Sequence, residues 1–544
     1  MALSNEAYRA FVDIVGEDFI STNPVDLDSY AFQWLAETVR PNQSHYMPRP
    51  VAVIMPETTE EVQAITKVCN KYGLKLKPIS TGWYHWAAPL KDEEDTVQLD
   101  LRRMNKIIEI DVENMIAVVE PYVICATLQA EVMKYGLNLN IVGAGSSTSI
   151  VASACAYFGP GPSTYYGGHN GDNLLAYEWV SPEGEILRYG SVNSTGEWFT
   201  SEGPGVSIRG MTRGVMGSRG GLGTYTKCAI KLFPWTGDQV LDVHGTIPGY
   251  RLPIHPLHRV YTIAAPDWQT FANIYYKIYD NEIGYIFHRQ FNLAGANLAA
   301  TFWLLYIDPD KTLGDLEEMV KDPEMKKLTE EMRISFQFIM QGHSIRNIEL
   351  QDKILDEILK ETGCWKVERY CQKDMAEFTN MYLQRLGHKH CNFIWAGGYL
   401  GSWMQSGTPD WVIGYVPTAI AGLERDYADG KLVQCGGDAL MGCGSGLTGG
   451  GAFGFEQFVS YDPCDNESIL AGIKHMEDAI TDALSIGYPA GKELWYLQIG
   501  WTDEQVWEGL KKAPQPVFKF QTEIKKAFDP NNIGDRMYPT LEVK

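Results

Sequence analysis

Residues 49–62 have the sequence RPVAVIMPETTEEV, and they begin the part of the chain that decides the fold. The β-branched run at 51–55 lies between two prolines and predicts a short buried strand. Two threonines and two glutamates follow, and apolar residues then recur at helical spacing up to Gly73, which predicts a capped amphipathic helix. Residues 74–79 predict a second strand, which runs into Ser80-Thr-Gly82. A strand, a helix and a strand in this order indicate an α/β unit that ends in a glycine-containing loop.

Short strands and helices continue up to about residue 236. The turn at 182–184, Pro-Glu-Gly, separates two of these strands as a hairpin. We expect strands at 97–101, 107–110, 115–120, 174–180, 186–189 and 226–233, and a helix at 127–135. This pattern predicts one α+β domain over residues 49–236.

A change of pattern at about residue 237 indicates a second domain. We expect amphipathic helices there at 268–279, 313–320, 350–361 and 465–486, and aromatic-rich strands at 393–399 and 451–461. The sequence therefore predicts a second α+β domain over residues 237–520. A helical N-terminal arm is expected at 1–48.

The 544-residue chain has the composition of a globular protein, with 45% apolar and 21% charged residues. Its formal net charge of −22 disfavours binding to nucleic acid or to an anionic membrane surface, because like charges repel. Residues 1–16 lack the basic and apolar regions of a signal peptide, and no apolar stretch approaches the roughly 18 residues of a membrane-spanning helix. The ten cysteines form no CxxC pair, which is typical of reduced thiols. We expect a cytoplasmic location.

Three stretches of small residues lie in the first domain, at 78–82, 143–149 and 217–223. Glycines and small hydroxyl residues let backbone amides approach a diphosphate closely, and these amides supply positive dipoles without bulk. The chain has no GxGxxG motif that opens a helix after a first strand, and no GxxxxGK[ST] loop. Their absence argues against a nicotinamide-binding Rossmann domain and against a P-loop. In this strand order, the three stretches together indicate a different kind of nucleotide-cofactor site.

Residues 49–236 resemble the FAD-binding domain of the vanillyl-alcohol oxidase / p-cresol methylhydroxylase superfamily, the PCMH-type flavoproteins. The resemblance rests on stretches that occur in the family's order: RPVAVIMPETTEEV at 49–62, PISTG at 78–82, AAP at 87–89, LDLRRMNKIIEI at 99–110, AVVEP at 117–121, GDNLL at 171–175, PEG at 182–184, residues 217–223, and IKKAFDPNNI at 524–533. It implies an α+β fold with a PCMH-type FAD-binding domain. The second domain, 237–520, would be the substrate (cap) domain, and the segment 521–544 would return to the FAD domain.

The resemblance also implies which residues line the FAD. Its diphosphate would meet the loop that follows the second strand and the second small-residue stretch. The implied cofactor-binding residues are Pro78, Ser80, Thr81, Gly82, Trp83, Tyr84, His85, Ser146, Ser147, Thr148, Ser149, Asp172, Asn173, Gly217, Gly223 and Thr224. Trp83 and Trp86 would either wall the flavin or simply pack. His85 would either attach the flavin covalently or face the cofactor or solvent.

Four residues are candidates for the chemistry. Tyr84 and His85 have side chains suited to taking the O–H proton of an alcohol. Glu456 lies in an otherwise apolar, aromatic strand, and it is either structurally paired or an acid/base with a raised pKa. Arg536, in the terminal turn, either supplies positive charge near the flavin or substrate or is exposed.

Two further clusters are weaker candidates for a role. His388 and His390 stand at strand spacing and would face one side. Such a pair occurs in metal-binding 2-hydroxy-acid branches of the family, but their further histidine-rich segment is missing here, so we expect no metal. The glycines at 442–446 and 449–451 form either a lid or a surface loop.

These observations predict an FAD-dependent oxidoreductase that transfers a hydride from a hydroxylated small molecule, an aromatic compound or an alcohol, to flavin N5. The alternatives are an FAD-linked 2-hydroxy-acid dehydrogenase and the FAD subunit of a multi-subunit electron-transfer dehydrogenase. The electron acceptor is either O₂ or a redox protein or subunit. A homo-oligomer is expected, because this is the commonest assembly of soluble proteins.

Overall fold

The structure is a computed structural model. It describes residues 3–33, 36, 46–82, 87–89, 95–143, 145–156, 159–190, 196, 198, 208, 218, 221–245, 250–289, 315, 318, 321–384, 398–442, 453–487 and 515–535. At 398–406, 434–442, 453–454, 456–458, 476, 480, 484 and 515–518 the description covers the backbone alone.

Helices and sheets occur in both halves of the chain, which confirms the α+β fold class. The helices are α1 (Asn5–Val15), α2 (Pro24–Ala31), α3 (Thr59–Tyr72), α4 (Cys125–Met133), α5 (Thr164–Gly167), α6 (Asn170–Asn173), α7 (Trp268–Asp280), α8 (Pro323–Glu331), α9 (Ile345–Thr362), α10 (Glu368–Cys371), α11 (Lys373–Gln384), α12 (Pro409–Ala428), α13 (Asn466–Ser485) and α14 (Gln515–Phe528). Within the described part of the chain, no helix is both long enough and apolar enough to cross a membrane.

The strands build three larger sheets and one two-stranded ribbon. They are β1 (Ile20–Ser21), β2 (Ala52–Ile54), β3 (Lys75–Ile79), β4 (Thr96–Asp100), β5 (Ile107–Asp111), β6 (Ile116–Val119), β7 (Leu137–Asn138), β8 (Leu174–Val180), β9 (Ile186–Tyr189), β10 (Thr224–Lys231), β11 (Phe233–Pro234), β12 (His258–Ala264), β13 (Ile286–Arg289), β14 (Ser335–Gln341), β15 (Trp365–Lys366), β16 (Gly398–Gly407), β17 (Val433–Gly442) and β18 (Phe453–Tyr461). The sheet orders are β1-β2-β4-β3, β5-β6-β10-β8-β9, β11-β7 and β15-β12-β14-β13-β17-β18-β16.

The opening strand–helix–strand unit forms as its sequence predicts. The Thr58 side chain caps α3 by accepting from the amide of Glu61 at 3.1 Å, and Gly73 ends the helix in the left-handed region at φ 66°. Strands β2 and β3 both pair in parallel with β4. Parallel strands carry their carboxyl ends to one edge of the sheet, so the Ser80–Gly82 loop lies at that edge.

A buried carboxylate joins the first sheet to the second. Glu178 of β8 accepts from Thr59 at the start of α3 at 2.6 Å, from Lys227 at 2.5 Å and from Arg188 at 2.7 Å. Burial by itself would raise the pKa of Glu178, but these hydrogen bonds and charges outweigh it and lower the pKa to about 2. The charged carboxylate therefore ties α3 to the antiparallel sheet.

The two faces of the seven-stranded cap sheet have different neighbours. One face, which includes Phe287, Phe336 and Phe455, forms a core with α7, α9, α12 and α13. The other face, which includes Ile286 and Ile339, forms a core with residues of α11 and with Met133 and Trp235 of the first domain. The second face is therefore the one that meets the first domain.

Two helix starts differ from the sequence prediction. The helix expected at 127–135 begins at Cys125, because the Cys125 amide bonds the Thr148 carbonyl at 2.9 Å and fixes the chain there. The helix expected at 350–361 begins at Ile345, after Ser344 caps the amide of Asn347 at 3.1 Å. The strands at 174–180 and 186–189 are confirmed. The predicted segments 313–320 and 393–397 lie largely outside the described residues.

Candidate functional site

The loop after β3 lies at the carboxyl edge of the first sheet. Pro78 pairs with Leu99 of the neighbouring strand, and the Leu101 amide bonds the Ile79 carbonyl at 2.9 Å. Ser80 and Thr81 are half-buried, and Gly82 takes a left-handed φ of 65°. Such a φ turns the backbone sharply without steric cost at glycine. The next candidates, Trp83, Tyr84 and His85, lie outside the described residues.

The second small-residue stretch is fixed against the start of α4. The Ser146 carbonyl accepts from the amide of Ala126 at 2.9 Å, and the Ser149 hydroxyl donates to the Pro121 carbonyl at 2.6 Å. Gly145 adopts φ 129°, which only glycine adopts readily. The Thr148 hydroxyl is buried and has no hydrogen-bond partner among the described residues. A buried hydroxyl without a partner is costly, so this position fits a cofactor that supplies one.

A second hydroxyl of this kind lies at the start of β10. Thr224 is 1% exposed, and within the described part of the chain its hydroxyl has no partner. Beside it, a Cβ on Gly223 would lie 2.3 Å from the Val180 carbonyl oxygen, and Gly223 also has φ 105°. The two hydroxyls and the glycine-bounded loops fit a dinucleotide such as FAD. Gly217 lies outside the described residues.

Asp172 and Asn173 end the short helix α6. The Asp172 carboxylate lies 3.2 Å from Nδ1 of His169 and is half exposed. Asn173 is 3% exposed, and its amide donates to the Gly168 carbonyl at 3.4 Å. Of this pair, Asn173 is thus buried in the loop and Asp172 faces outward.

Asn140 organises the buried loop that runs from Gly159 to Thr164. Its amide donates to the Gly159 carbonyl at 2.9 Å and to the Asn170 side chain at 3.2 Å. Its carbonyl oxygen accepts from Ser163 at 3.0 Å. At Gly161 a Cβ would lie 1.9 Å from the Ile141 carbonyl oxygen, so the two segments touch through backbone. Asn140 is not among the residues predicted from the sequence; the signal for it is the polar residue at every second position of 137–140, Leu-Asn-Leu-Asn.

The C-terminal turn returns to the first domain and holds the loop before β10. Lys525 of α14 donates to the Gly221 carbonyl at 2.5 Å and to Asp529 at 2.6 Å. Burial lowers the pKa of Lys525, although the Asp529 carboxylate opposes this shift. Asp529 also accepts from the amide of Gly534 at 2.9 Å. Arg536 follows this turn and lies outside the described residues.

Polar contacts join the two halves of the chain beside α4. The Asn138 amide donates to the Tyr285 hydroxyl at 2.8 Å. Gln129 donates to Asn138 at 3.0 Å and to the Gln384 carbonyl, at the end of α11, at 3.4 Å. The first residues of helix α4 bond the Ser146–Ser149 loop, so these contacts hold the second half of the chain next to that loop.

Position 456 lies on the cap-sheet face that meets the first domain. Phe455 and Val459 of β18 belong to the core under the cap helices, and successive strand residues alternate between faces. Position 456, which pairs with Ala439 and Trp403, therefore belongs to the opposite face. His388 and His390 lie outside the described residues. In the part of the chain that is described, no three His, Cys, Asp or Glu residues are grouped as for a metal ion.

Comparisons with known proteins agree with this geometry. Residues 50–190 match the family model for an FAD binding domain. An uncharacterized FAD-linked oxidoreductase of Mycobacterium tuberculosis is 27% identical over 230 residues, which cover 42% of this chain and 46% of the relative. The 4-cresol dehydrogenase [hydroxylating] flavoprotein subunit of Pseudomonas putida is 35% identical over 120 residues, 22% of each chain. The chain thus spans less than half the length of these curated relatives.

The fold is shared over the whole chain. A crystal structure of p-cresol methylhydroxylase with substrate bound superimposes with a TM-score of 0.72 and 19% identity, over 99% of this chain and 97% of the other. The family match covers the loops that carry the Thr148 hydroxyl and the Ser80–Gly82 turn. Residues 50–190 thus match an FAD-binding domain, and the chain has the fold of p-cresol methylhydroxylase.

Proposed function

We propose that the protein is an FAD-dependent oxidoreductase that transfers a hydride from a hydroxylated small molecule, a phenol or an alcohol, to flavin N5. The observation that carries this proposal is the juxtaposition of the two halves of the chain. The contact between Asn138 and Tyr285 fixes the cofactor loops beside the cap-sheet face that includes position 456. A substrate between them would lie against both the flavin and the cap.

The chain's own residues would position the flavin and the substrate. The loops at 80–82 and 145–149 would hold the diphosphate and ribityl portion through backbone amides and the Thr148 hydroxyl. When bound, the flavin supplies the acceptor for the hydride. Tyr84, His85 and Glu456 are the proposed groups for the substrate O–H proton, and Arg536 the proposed source of positive charge near the flavin. His85 is also the candidate residue for covalent attachment of the flavin.

The names of two similar proteins support a phenolic substrate: the 4-cresol dehydrogenase flavoprotein subunit and p-cresol methylhydroxylase. The first is named as a subunit, which supports a separate redox subunit as electron acceptor, with O₂ as the alternative. We also propose a homo-oligomer, on the general frequency of such assemblies.

Anaerobic spectroscopy of the purified protein tests this function. We expect a yellow protein whose flavin absorbance bleaches when a 4-alkylphenol or an aryl alcohol is added, and a colour that returns when an acceptor is supplied. Acid precipitation then separates the two kinds of attachment, because a covalent flavin stays in the pellet. A colourless protein that does not bind added FAD, or a holoprotein that glycolate and D-lactate reduce while phenols and alcohols do not, would contradict the proposal.

A further inference from the structure

Two consecutive carbonyl groups of the loop before β10 are fixed by side chains from other parts of the chain. The Gly221 carbonyl accepts from the Lys525 ammonium group at 2.5 Å, and the Leu222 carbonyl accepts from the Trp179 indole at 2.7 Å. Lys525 belongs to α14 and Trp179 to β8, so neither bond is local. The path of this loop is therefore set by tertiary contacts.

The C-terminal helix α14 supports both of these bonds. Lys525 makes the first bond directly. Phe528, which lies three residues later on the same face of the helix, packs against the Trp179 ring with the ring centroids 5.6 Å apart. One side chain of α14 thus holds the loop through a hydrogen bond, and the other supports the indole that makes the second bond.

The two bonds determine the direction of two backbone amides. In a planar trans peptide group, the carbonyl and the amide of the next residue point in opposite directions. The Leu222 amide therefore points away from Lys525, and the Gly223 amide points away from Trp179. Thr224, whose side chain carries a further donor, follows these two amides in the chain. Backbone amides of this kind supply the positive dipoles that bind a dinucleotide cofactor.

Lys525 is enclosed, and its charge is balanced. Its side chain is 9% exposed, and its Nζ lies 2.6 Å from the Asp529 carboxylate. That carboxylate also accepts from the amides of Ile533 and Gly534 at 2.9 Å each. A Cβ added to Gly534 would lie 3.0 Å from the Lys525 Nζ and 2.8 Å from the Gly221 carbonyl oxygen, so the C-terminal turn covers this contact closely. The ammonium group therefore acts on a ligand through the loop that it holds.

We propose that Lys525 and Phe528 form a clamp on the FAD site, in which Lys525 is a positioning residue that orients the Leu222 and Gly223 amides for the cofactor. The inference rests on the proposed function and deepens it by naming the residue through which the last helix controls FAD binding. Lys525 does not itself touch the cofactor. Its removal frees the Gly221 carbonyl, so the peptide group that carries the Leu222 amide can rotate and the loop loses the shape that fits FAD.

The test compares Lys525→Met with two matched substitutions. Lys526→Met removes the neighbouring lysine, which is exposed. Arg289→Met removes another buried cation that donates to a backbone carbonyl, that of Ser335 at 3.1 Å, but this one lies in the cap sheet. For each variant we would measure the melting temperature of the apoprotein, the Kd of FAD at a temperature at which the apoprotein is folded, and the visible circular dichroism of the bound flavin.

We expect Lys525→Met to raise the Kd of FAD at least about tenfold, because a hydrogen bond from a charged group is lost. At saturating FAD, the visible circular dichroism of its flavin should differ from that of the wild type. Lys526→Met and Arg289→Met should change the Kd less than about twofold, although Arg289→Met should lower the melting temperature. A role of Lys525 in stability alone would lower the melting temperature of Lys525→Met and leave its Kd and its dichroism as in the wild type.

That last result, or an equal rise of the Kd in Lys525→Met and Arg289→Met, would overturn the proposal. If Lys525→Met does not fold, Lys525→Gln takes its place, because glutamine keeps an N–H donor; failure of both variants to fold would also overturn it. If FAD affinity follows Lys525 but no phenol or alcohol reduces the flavin, the clamp stands and the oxidoreductase function fails. If a substrate reduces the wild-type flavin while the Kd does not depend on Lys525, the function stands and the clamp fails. A wild-type protein that does not bind FAD would contradict both.

Discussion

Lys77 and Asp535 form a buried ion pair, with Nζ and Oδ2 2.6 Å apart, although 458 positions separate them in the chain. Their side chains are 2% and 4% exposed. Next to the pair, Leu76 of β3 bonds the carbonyl of Ile533 at 2.8 Å. The C-terminal turn is therefore built into the strand from which the Ser80–Gly82 loop emerges, and the first domain is incomplete without it.

Replacement of one partner of this pair should be strongly destabilising. Lys77→Met removes the cation that lies 2.6 Å from the buried Asp535 carboxylate, which costs about 3–5 kcal/mol. Urea unfolding followed by fluorescence measures the loss, and FAD content should fall with it. The double replacement Lys77→Met with Asp535→Leu should recover part of the loss, because no lone charge remains. A single variant that is as stable as the wild type would contradict the role of the pair.

Thr148→Val should weaken FAD binding without weakening the fold. The Thr148 hydroxyl has no partner among the described residues, so its removal breaks no hydrogen bond seen there. A hydrogen bond to the cofactor is worth about 0.5–1.5 kcal/mol, which corresponds to roughly a 2- to 12-fold higher Kd for FAD. The matched control is Ser149→Ala, which loses bonds to the Pro121 carbonyl and the Ala152 amide and should lower apoprotein stability. Unchanged FAD affinity in Thr148→Val would show that this hydroxyl does not face the cofactor.

Gly223→Ala, in the loop before β10, should destabilise the protein far more than Gly430→Ala, which lies just after helix α12. The new Cβ would meet the Val180 carbonyl oxygen at 2.3 Å and would also sit at φ 105°. Gly430 has φ 69°, and a Cβ added there would meet no atom of the described residues within 4 Å, so Gly430→Ala should cost only the left-handed strain, about 1 kcal/mol. FAD content and the midpoint of urea unfolding, compared between the two variants, check this order. Equal losses would mean that the close approach to β8 is not maintained.

Acid should lower the free energy of unfolding, partly because it protonates the Glu178 carboxylate. Its pKa is lowered from an ordinary 4.5 to about 2 in the folded state. A depressed carboxyl pKa stabilises the fold fully above the unfolded value, and this contribution disappears as the pH falls from about 4.5 to about 2. Glu178→Gln should therefore lower stability at neutral pH and flatten the stability curve across this interval. Urea unfolding at several pH values measures the free energy of unfolding. If this free energy falls with acid as steeply in Glu178→Gln as in the wild type, other groups cause the acid sensitivity.

Much of the first domain could be predicted from sequence because its signals are local. The cap at Thr58, the stop at Gly73 and the turn at 182–184 each act within a few residues, and the structure has helix and strand ends beside all of them. That the small-residue stretches at 78–82 and 143–149 line the cofactor stays a prediction, which rests on the close backbone approach that such residues permit. The start of α4 was not, because it depends on a bond between Cys125 and Thr148 of a later loop.

What the chain determined by itself, then, is its series of strands and helices and the positions at which bare backbone is available to a cofactor. Tertiary structure alone decided that Lys77 meets Asp535 and that Asn140 holds a loop. Local patterns follow from backbone geometry and side-chain alternation over a few residues. The identity of a buried partner depends on packing between segments that are hundreds of residues apart, and no local pattern records it.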